Sequence, residues 1–428
     1  MVMGVAKLHF DQLDETLYHE ELANGLDVYV LPKKGFNKTY ATFTTRYGSI
    51  DNHFVSIDGK TIKVPDGIAH FLEHKLFEEE EGDIFNQFSR HGAQANAFTS
   101  FNMTSYLFSC TDHVEQNLIT LLNFVQNPYF TDQSVEKEKG IIEQEIRMYQ
   151  DNPDWRVYFG LIQAMYHHLP VKIDIAGTVE SIYQINKDLL YTCYHTFYHP
   201  SNMLLFVVGA VNPEEIIRLV RENQAEKSFP AAPDIKRFFE KEPTSVFQQI
   251  HEVDLEVDTP KILMGFKEHV VGVQGATMLK QELSTEILLD MLVGPTSDVY
   301  EQLMEEGLID DSFSSDYNIE KQYGFSMIGG NSTEPERLME RIIDVFKQAR
   351  QKGLDREEFE RMRKQKIGHF LKALNSPEFI ATQFTRYKFN EINLFDVVPM
   401  LEALRFEDIM HRLEDHFRDE SFAVCIVR

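Results

Sequence analysis

Cysteine, tryptophan and positive charge are all scarce in this chain. It has three cysteines, Cys110, Cys193 and Cys425, and a single tryptophan. An odd number of widely separated cysteines in apolar surroundings argues against a disulfide framework and predicts buried free thiols in a reducing compartment. Residues 1–11 contain neither an apolar stretch nor a cleavage-site pattern. We therefore expect no secretory signal and a cytoplasmic location.

Long apolar runs are also missing. No run approaches the ~20 residues that cross a bilayer, so we expect no membrane partner. Acidic residues outnumber basic ones by 68 to 42, and the formal net charge is −26. Nucleic acids and anionic membranes both need a basic face, so neither is expected to bind. The charge is compatible with a cationic peptide substrate, although plain solubility is the simpler explanation.

The sequence contains enough apolar residues for two domains. Its 428 residues are 43% hydrophobic and suit two domains of about 200 residues each. Strand-like runs and amphipathic helices alternate in the first half, at 26–31, 40–46, 67–77, 114–126, 133–150 and 203–209. This mixture predicts an α+β fold. A polar stretch with two prolines predicts a linker at 229–245, between an N-terminal domain at 1–228 and a C-terminal domain at 246–428.

The second half of the sequence repeats features of the first. The segment 83–92 matches 298–307, with Asp at the start and Gly at the end of both. Phe98 and Phe313 each follow that glycine by six residues, and the next helical segments, 111–124 and 333–346, also align. These ordered matches predict an internal duplication.

A metal-binding pattern lies on the predicted helix 67–77. His70 and His74 are four residues apart, so their rings project from one face of a helix. Glu73 borders the same face and can reach a water on a metal held there. The pattern H-x-x-E-H is the inverzincin signature. Two surface histidines on a helix are the simpler alternative.

A third metal ligand is expected from the helix 133–150. Glu138 and Glu145 are seven residues apart and share one helix face. The apolar residues Ile141, Ile142 and Met148 predict that this face turns toward protein. Two partly buried carboxylates need a cation or a proton, whereas a solvated acidic helix would need neither.

Together these segments resemble the pitrilysin–insulysin–mitochondrial processing peptidase family of zinc peptidases. The pieces that carry the resemblance are 67–77, the run Asn96–Thr99, the pair Glu138 and Glu145, and the run Tyr198–Asn202. The short two-domain length resembles the bacterial branch of that family. The resemblance implies two homologous domains related by pseudo-twofold symmetry, each a mostly antiparallel sheet packed with helices.

The resemblance also implies roles for individual residues. His70, His74 and Glu145 would bind one Zn²⁺ per chain, and Glu73 would be the general base that takes a proton from the zinc-bound water. Glu138 would orient a ligand or aid proton transfer. The substrate-binding residues would be Asn96, Ala97 and Phe98, on an edge strand that pairs with an extended peptide.

The second half is expected to lack a metal site. Glu286–Met291 occupies the place of the histidine pattern, and the positions of Glu138 and Glu145 fall at Arg361 and Gly368. Met304 stands where the family often has an arginine that steadies the substrate, and acidic residues stand where it has a tyrosine. We therefore expect a homodimer, or a heterodimer with a paralogue that lacks the zinc motif.

Two functions follow from these patterns. The first is a zinc metalloendopeptidase that cleaves peptides or unfolded segments. The second is a non-catalytic binding or assembly subunit that keeps the fold. A purely structural zinc site is disfavoured, because such sites are closed by four protein ligands and only three are evident here.

Overall fold

The computed structural model describes residues 4–79, 82–232 and 234–428. Its helices in chain order are α1 (Ile68–Leu76), α2 (Phe85–Arg90), α3 (Val114–Val125), α4 (Asp132–Gln150), α5 (Pro153–Met165), α6 (Val179–Ile182), α7 (Lys187–Phe197), α8 (Pro213–Ala225), α9 (Gly275–Val293), α10 (Asp298–Glu305), α11 (Pro335–Lys352), α12 (Arg356–Ala373), α13 (Pro377–Phe389), α14 (Val397–Ala403) and α15 (Phe406–His416). Short 3₁₀ helices occur at Pro170–Lys172, Pro200–Asn202, Leu394–Asp396 and Asp419–Ser421. No helix among the described residues is long and apolar enough to cross a membrane.

In the part of the chain that the structure describes, strands make up two main sheets and two small hairpins. In chain order they are β1 (Ala6–Phe10), β2 (Glu15–Glu21), β3 (Asp27–Pro32), β4 (Thr39–Thr45), β5 (His53–Val55), β6 (Thr61–Lys63), β7 (Glu78–Glu79), β8 (Gly82–Asp83), β9 (Gln94–Thr99), β10 (Thr104–Cys110), β11 (Met203–Gly209), β12 (Ile250–Val253), β13 (Lys261–Phe266), β14 (Ser314–Ile319), β15 (Gly324–Asn331) and β16 (Phe422–Val427). Hairpins β5–β6 and β7–β8 stand apart from the main sheets.

The chain forms two compact units. The first comprises Met1–Ile146, Asp174–Phe239 and Leu374–Phe389, and the second comprises Arg147–Ile173, Glu240–Ala373 and Asn390–Arg428. The sequence predicted two domains that are each continuous in the chain, joined by a linker at 229–245. That division stays a prediction. Residue 233 of that linker lies outside the described residues.

The first unit is built on a seven-stranded sheet with the order β1-β2-β3-β11-β4-β10-β9. Every neighbouring pair is antiparallel except β3 and β11, which run parallel. Strands β4, β10 and β11 are buried along their whole length. Their sequences are rich in β-branched and aromatic residues, which suit central strands covered on both faces.

The second unit has a five-stranded sheet with the order β12-β16-β13-β15-β14. Its pattern repeats that of β3-β11-β4-β10-β9: one parallel pair at the start, then antiparallel neighbours. The predicted α+β fold with mostly antiparallel sheets is confirmed. The repeated strand order supports the duplication, whereas the pseudo-twofold relation stays a prediction.

Part of the predicted alignment between the halves is wrong. Gly92 and Gly307 each follow a helix, and both have positive φ angles, 66° and 68°. This similarity agrees with the alignment. Phe98, however, lies inside β9 and pairs with Ser105, whereas Phe313 precedes β14. The segment between Gly307 and its strand is longer than the one after Gly92, so equal spacing in sequence does not give equivalent positions.

Each unit contains one helix from the other half of the sequence. In the second unit, α5 packs on β12, β13 and β16. Gly160 permits this approach, because a Cβ there would lie 2.4 Å from Cys425 Sγ. In the first unit, α13 packs on β4 and β11, and the ring centroid of Phe384 is 4.6 Å from that of Phe206.

Candidate metal centre

Helix α1 carries the histidine pattern in the first unit. It begins after Gly67, which has φ of 86°. A Cβ at Gly67 would lie 2.3 Å from the Ala176 carbonyl oxygen, so only glycine fits both the backbone angle and the close contact. The predicted helix 67–77 is confirmed to within one residue at each end.

The two histidines of α1 face the same region. Their ring centroids are 4.6 Å apart and the rings are inclined by 61°. His70 is buried, and the side chain of His74 is 26% exposed. This geometry lets both Nε2 atoms point at one ion, as the four-residue spacing predicted.

Glu145 of α4 brings a carboxylate to the same region. Its Oε1 lies 3.6 Å from His70 Nε2, and its Oε2 lies 3.4 Å from His74 Nε2. One ligand atom from each of these three residues lies within 4.8 Å of the other two. Among the described residues this is the one such group that the structure holds.

The donor set fits a tetrahedral zinc ion. Two atoms that are each ~2.1 Å from a tetrahedral ion lie about 3.4 Å apart, close to the separations of the two imidazoles from Glu145. Two nitrogens and one carboxylate oxygen also form the ligand set of catalytic zinc sites, which leave the fourth position open.

Glu138 contacts His74 on the side away from Glu145. Its Oε1 lies 3.0 Å from His74 Nδ1, and its side chain is 7% exposed. A carboxylate at this distance accepts the Nδ1–H hydrogen bond and leaves the Nε2 lone pair free for a metal. Nδ1 of His70 has no such partner among the described residues.

The charges around His74 favour a cation there. Burial alone would lower the pKa of His74, but the hydrogen bond with Glu138 and the charge of Glu145 hold it above its usual value. Burial would likewise raise the pKa of Glu138, but the contacts with His74 and Lys75 hold it below its usual value. The site is therefore an anionic pocket around two imidazoles.

Glu73 is held by a hydroxyl from the neighbouring sheet. Thr99 Oγ1 on β9 donates a hydrogen bond of 2.6 Å to Glu73 Oε2. Glu73 is 8% exposed and its charge acts on His74. The sequence placed Thr99 in a family motif without assigning it a role.

The predicted substrate-binding residues lie on β9, at the edge of the seven-stranded sheet. Asn96, Ala97 and Phe98 pair with β10 along one side of the strand. The N–H of Ala97 donates to the side-chain Oδ1 of Asn96, at 2.9 Å. An incoming strand would replace that local hydrogen bond with a main-chain one.

The face of α4 that carries Glu138 and Glu145 turns toward protein, as predicted: their side chains are only 7% and 20% exposed. Ile142 is buried, but Ile141 and Met148 are 44% and 59% exposed, so these two apolar residues do not support that face. Both carboxylates contact the histidines of α1 instead.

The second unit carries an ion-pair cluster between α9 and α12. Lys366 Nζ of α12 lies 3.1 Å from Glu286 and 3.2 Å from Asp290, both on α9. Burial would lower the pKa of Lys366, but these two carboxylates raise it. Two carboxylates thus share one ammonium, a contact that the sequence did not indicate.

Comparison with known proteins identifies the family. The family model for insulinase (peptidase family M16) matches residues 63–179, and that for the peptidase M16 inactive domain matches residues 184–366. The uncharacterized zinc protease YmfH of Bacillus subtilis (strain 168) is 56% identical over 424 residues, which cover 99% of each chain. This chain belongs to peptidase family M16. The resemblance predicted from the sequence is confirmed.

Other similar proteins are compatible with this assignment. The uncharacterized zinc protease YmxG, also from Bacillus subtilis, is 25% identical over 84% of this chain and 88% of its own length. The crystal structure of an M16-like protein from Alicyclobacillus acidocaldarius superposes with a TM-score of 0.93 at 41% identity, covering 100% and 99% of the two chains. A protease from Helicobacter pylori gives a TM-score of 0.83 at 17% identity over both full chains, which shows the fold alone.

Proposed function

We propose that this chain is a zinc metallopeptidase that hydrolyses peptide bonds of peptides or unfolded segments. The observation that carries the proposal is the convergence of His70, His74 and Glu145, with the Glu73 carboxylate beside His74. The names of the M16 relatives as zinc proteases support zinc as the metal.

The chemistry divides between the metal and the protein. Bound zinc would supply a Lewis acid that polarises the scissile carbonyl and lowers the pKa of an attacking water. Glu73 would accept the proton from that water at its carboxylate and return it to the leaving amine. The hydrogen bond from Thr99 fixes one oxygen of Glu73 and leaves the other for this transfer.

Two further groups of residues would prepare the reaction. Glu138 holds His74 through Nδ1 and so directs Nε2 toward the metal. Strand β9 would bind the substrate as an added strand, with the main chain of Asn96, Ala97 and Phe98 supplying the pairing groups. An extended segment would fit this edge, because its main-chain N–H and C=O groups are free to pair.

The proposal includes a second chain. Met304 stands on α10 with 38% of its surface exposed, at the place where the family resemblance puts a substrate-steadying arginine. We infer a homodimer, or a heterodimer in which a paralogue without the zinc motif supplies that group. Full peptide cleavage by a monomer of this chain, with its mass measured by sedimentation, would contradict the need for a partner.

Metal content tests the proposed site. The metal-replete protein should hold about one zinc per chain. Glu145→Gln should weaken zinc affinity by at least about 100-fold, because it removes a ligand. Glu143→Gln is the matched control: Glu143 lies on the same helix but accepts a hydrogen bond from Tyr183. Absence of zinc in the replete wild type would instead favour the non-catalytic assembly subunit.

A further inference from the structure

Lys75 is a completely buried lysine on the helix that carries the metal ligands. It follows His74 directly, and its side chain is 0% exposed. Removing an ammonium from water is costly unless opposite charges and hydrogen bonds replace the solvent. Neither the zinc ligand set nor the general base uses this residue, so its burial needs another explanation.

The partners of Lys75 connect it to the metal centre. Its Nζ donates to the Glu78 carboxylate and to the carbonyl oxygen of Ser134, the latter at 3.4 Å. It also lies 3.8 Å from Glu138 Oε2. The other oxygen of Glu138 lies 3.0 Å from His74 Nδ1. The Glu138 carboxylate is thus shared between an ammonium and the imidazole of a metal ligand.

This arrangement also matters for charge. Glu73, Glu138 and Glu145 bring three carboxylates to one small region, and like charges in a poorly solvated site repel each other. Lys75 Nζ, 3.8 Å from Glu138 Oε2, brings a positive charge to this region. An ammonium behind Glu138 offsets part of that repulsion before any metal arrives.

We infer that Lys75 is a positioning residue of the metal centre. It holds the Glu138 carboxylate against His74 Nδ1, and through this contact it orients the imidazole and increases zinc affinity. The inference rests on the proposed zinc site. It adds Lys75 behind Glu138, which itself contacts the ligand His74. Mutation of a group that hydrogen-bonds directly to a metal ligand, as Glu138 does to His74, typically changes metal affinity by about 10- to 100-fold. A residue that acts through Glu138 should change it by an amount at the low end of that range.

The test measures metal affinity in the full chain, with Lys75→Met as the variant. Methionine is an unbranched side chain close in length to lysine, so the buried position stays filled. Zinc affinity is measured by competition with a chromophoric chelator, and Co²⁺ loading gives visible absorption bands that report ligand geometry. We expect Lys75→Met to weaken zinc affinity by about tenfold and to shift the Co²⁺ bands.

A double-mutant cycle separates positioning from a general structural effect. In a Glu138→Gln background, Lys75→Met should change zinc affinity by less than about threefold, since the carboxylate it acts through is gone. Glu78→Gln is the control, because it removes a partner of Lys75 without touching Glu138, and it should leave zinc affinity nearly unchanged. Should Lys75→Met fail to fold, Lys75→Gln keeps a hydrogen-bond donor and carries the same expectations.

Two results would overturn the inference. One is unchanged zinc affinity and unchanged Co²⁺ bands in a folded Lys75 variant. The other is an equal loss of affinity with and without the Glu138 carboxylate. If the wild type bound no zinc at all, the proposed function itself would fail, which is a distinguishable outcome.

Discussion

The hydroxyl of Thr99 donates a 2.6 Å hydrogen bond to Glu73 Oε2, and this contact joins the edge strand β9 to the metal-binding helix α1. Strand β9 carries the residues proposed to pair with substrate, and Glu73 is the proposed base. In the proposed function, the same strand would position both the peptide and the group that acts on it.

Thr99→Val should lower kcat by roughly tenfold while leaving zinc content unchanged. A hydrogen bond to a charged group contributes about 1.5–3 kcal/mol, and its loss lets the Glu73 carboxylate rotate away from the attacking water. Thr99→Ser should restore most of the rate. Thr120→Val is the control, because the Thr120 hydroxyl donates to the Gln116 carbonyl oxygen on an exposed helix turn. Equal rates for Thr99→Val and wild type would remove Thr99 from the site.

Gly67→Ala should destabilise the first unit by more than about 2 kcal/mol and lower its zinc content. Its φ of 86° is unfavourable for alanine, and the added Cβ would meet the Ala176 carbonyl oxygen at 2.3 Å. Thermal unfolding and metal analysis on the same sample measure both effects. Gly140→Ala is the matched control: it lies inside α4, and a Cβ added there would meet no described atom within 4 Å, so it should be neutral or stabilise slightly. Similar behaviour of the two variants would contradict this explanation of how α1 begins.

Glu268 in the second unit should make stability depend on acid pH. It is buried, and its Oε2 accepts hydrogen bonds of 2.7 Å from both Tyr317 and Arg412. Burial would raise the pKa of Glu268, but His416 and Arg412 hold it far below its ordinary value of 4.5. A depressed carboxyl pKa adds stability that is present above 4.5 and is lost as the pH falls through the range below it.

We therefore expect Glu268→Gln to lower the free energy of unfolding by about 3 kcal/mol or more at neutral pH. The wild-type and variant curves should converge as the pH falls below about 4.5, where the carboxyl of the unfolded chain takes up its proton. Denaturant unfolding at a series of pH values measures this. Glu222→Gln, which alters an exposed pair with Arg218, should cost less than about 1 kcal/mol. A constant difference between wild type and Glu268→Gln at all pH values would contradict the assignment.

The three thiols should be unreactive in the folded protein. Cys110, Cys193 and Cys425 are all free and buried. Burial raises the pKa of Cys193 and of Cys425 to about 12, so little thiolate forms at neutral pH. Titration with a chromogenic disulfide reagent should detect no fast-reacting thiol in the native state and all three in denaturant. A thiol that reacted quickly in the native protein would show that its surroundings open to solvent.

The sequence allowed prediction of features that depend on local spacing. The i to i+4 relation of His70 and His74 and the seven-residue spacing of Glu138 and Glu145 fix helix faces, so both pairs could be placed in advance. The buried run of β11 was likewise evident, because a central strand reads as a continuous apolar segment.

Features that depend on distant partners could not be predicted in this way. Lys75 is buried because Glu78 and Glu138 surround it, and a lysine in a sequence is ordinarily assigned to the surface. Helix α5 joins the sheet of the second unit through the contact of Gly160 with Cys425, which lies far along the chain. The Lys366 pair with Glu286 and Asp290 also joins two helices distant in sequence, so residue spacing did not reveal it.

The most direct test of the proposed peptidase function is the rate of peptide hydrolysis by the Glu73→Gln variant, with zinc content measured in the same sample. Glutamine keeps the shape and can still accept the Thr99 hydrogen bond, but it cannot take a proton from water. We predict that the variant retains about one zinc per chain and loses hydrolysis by at least about 100-fold. Hydrolysis at the wild-type rate in a zinc-loaded Glu73→Gln protein, assayed with the same partner chain, would contradict the role of Glu73.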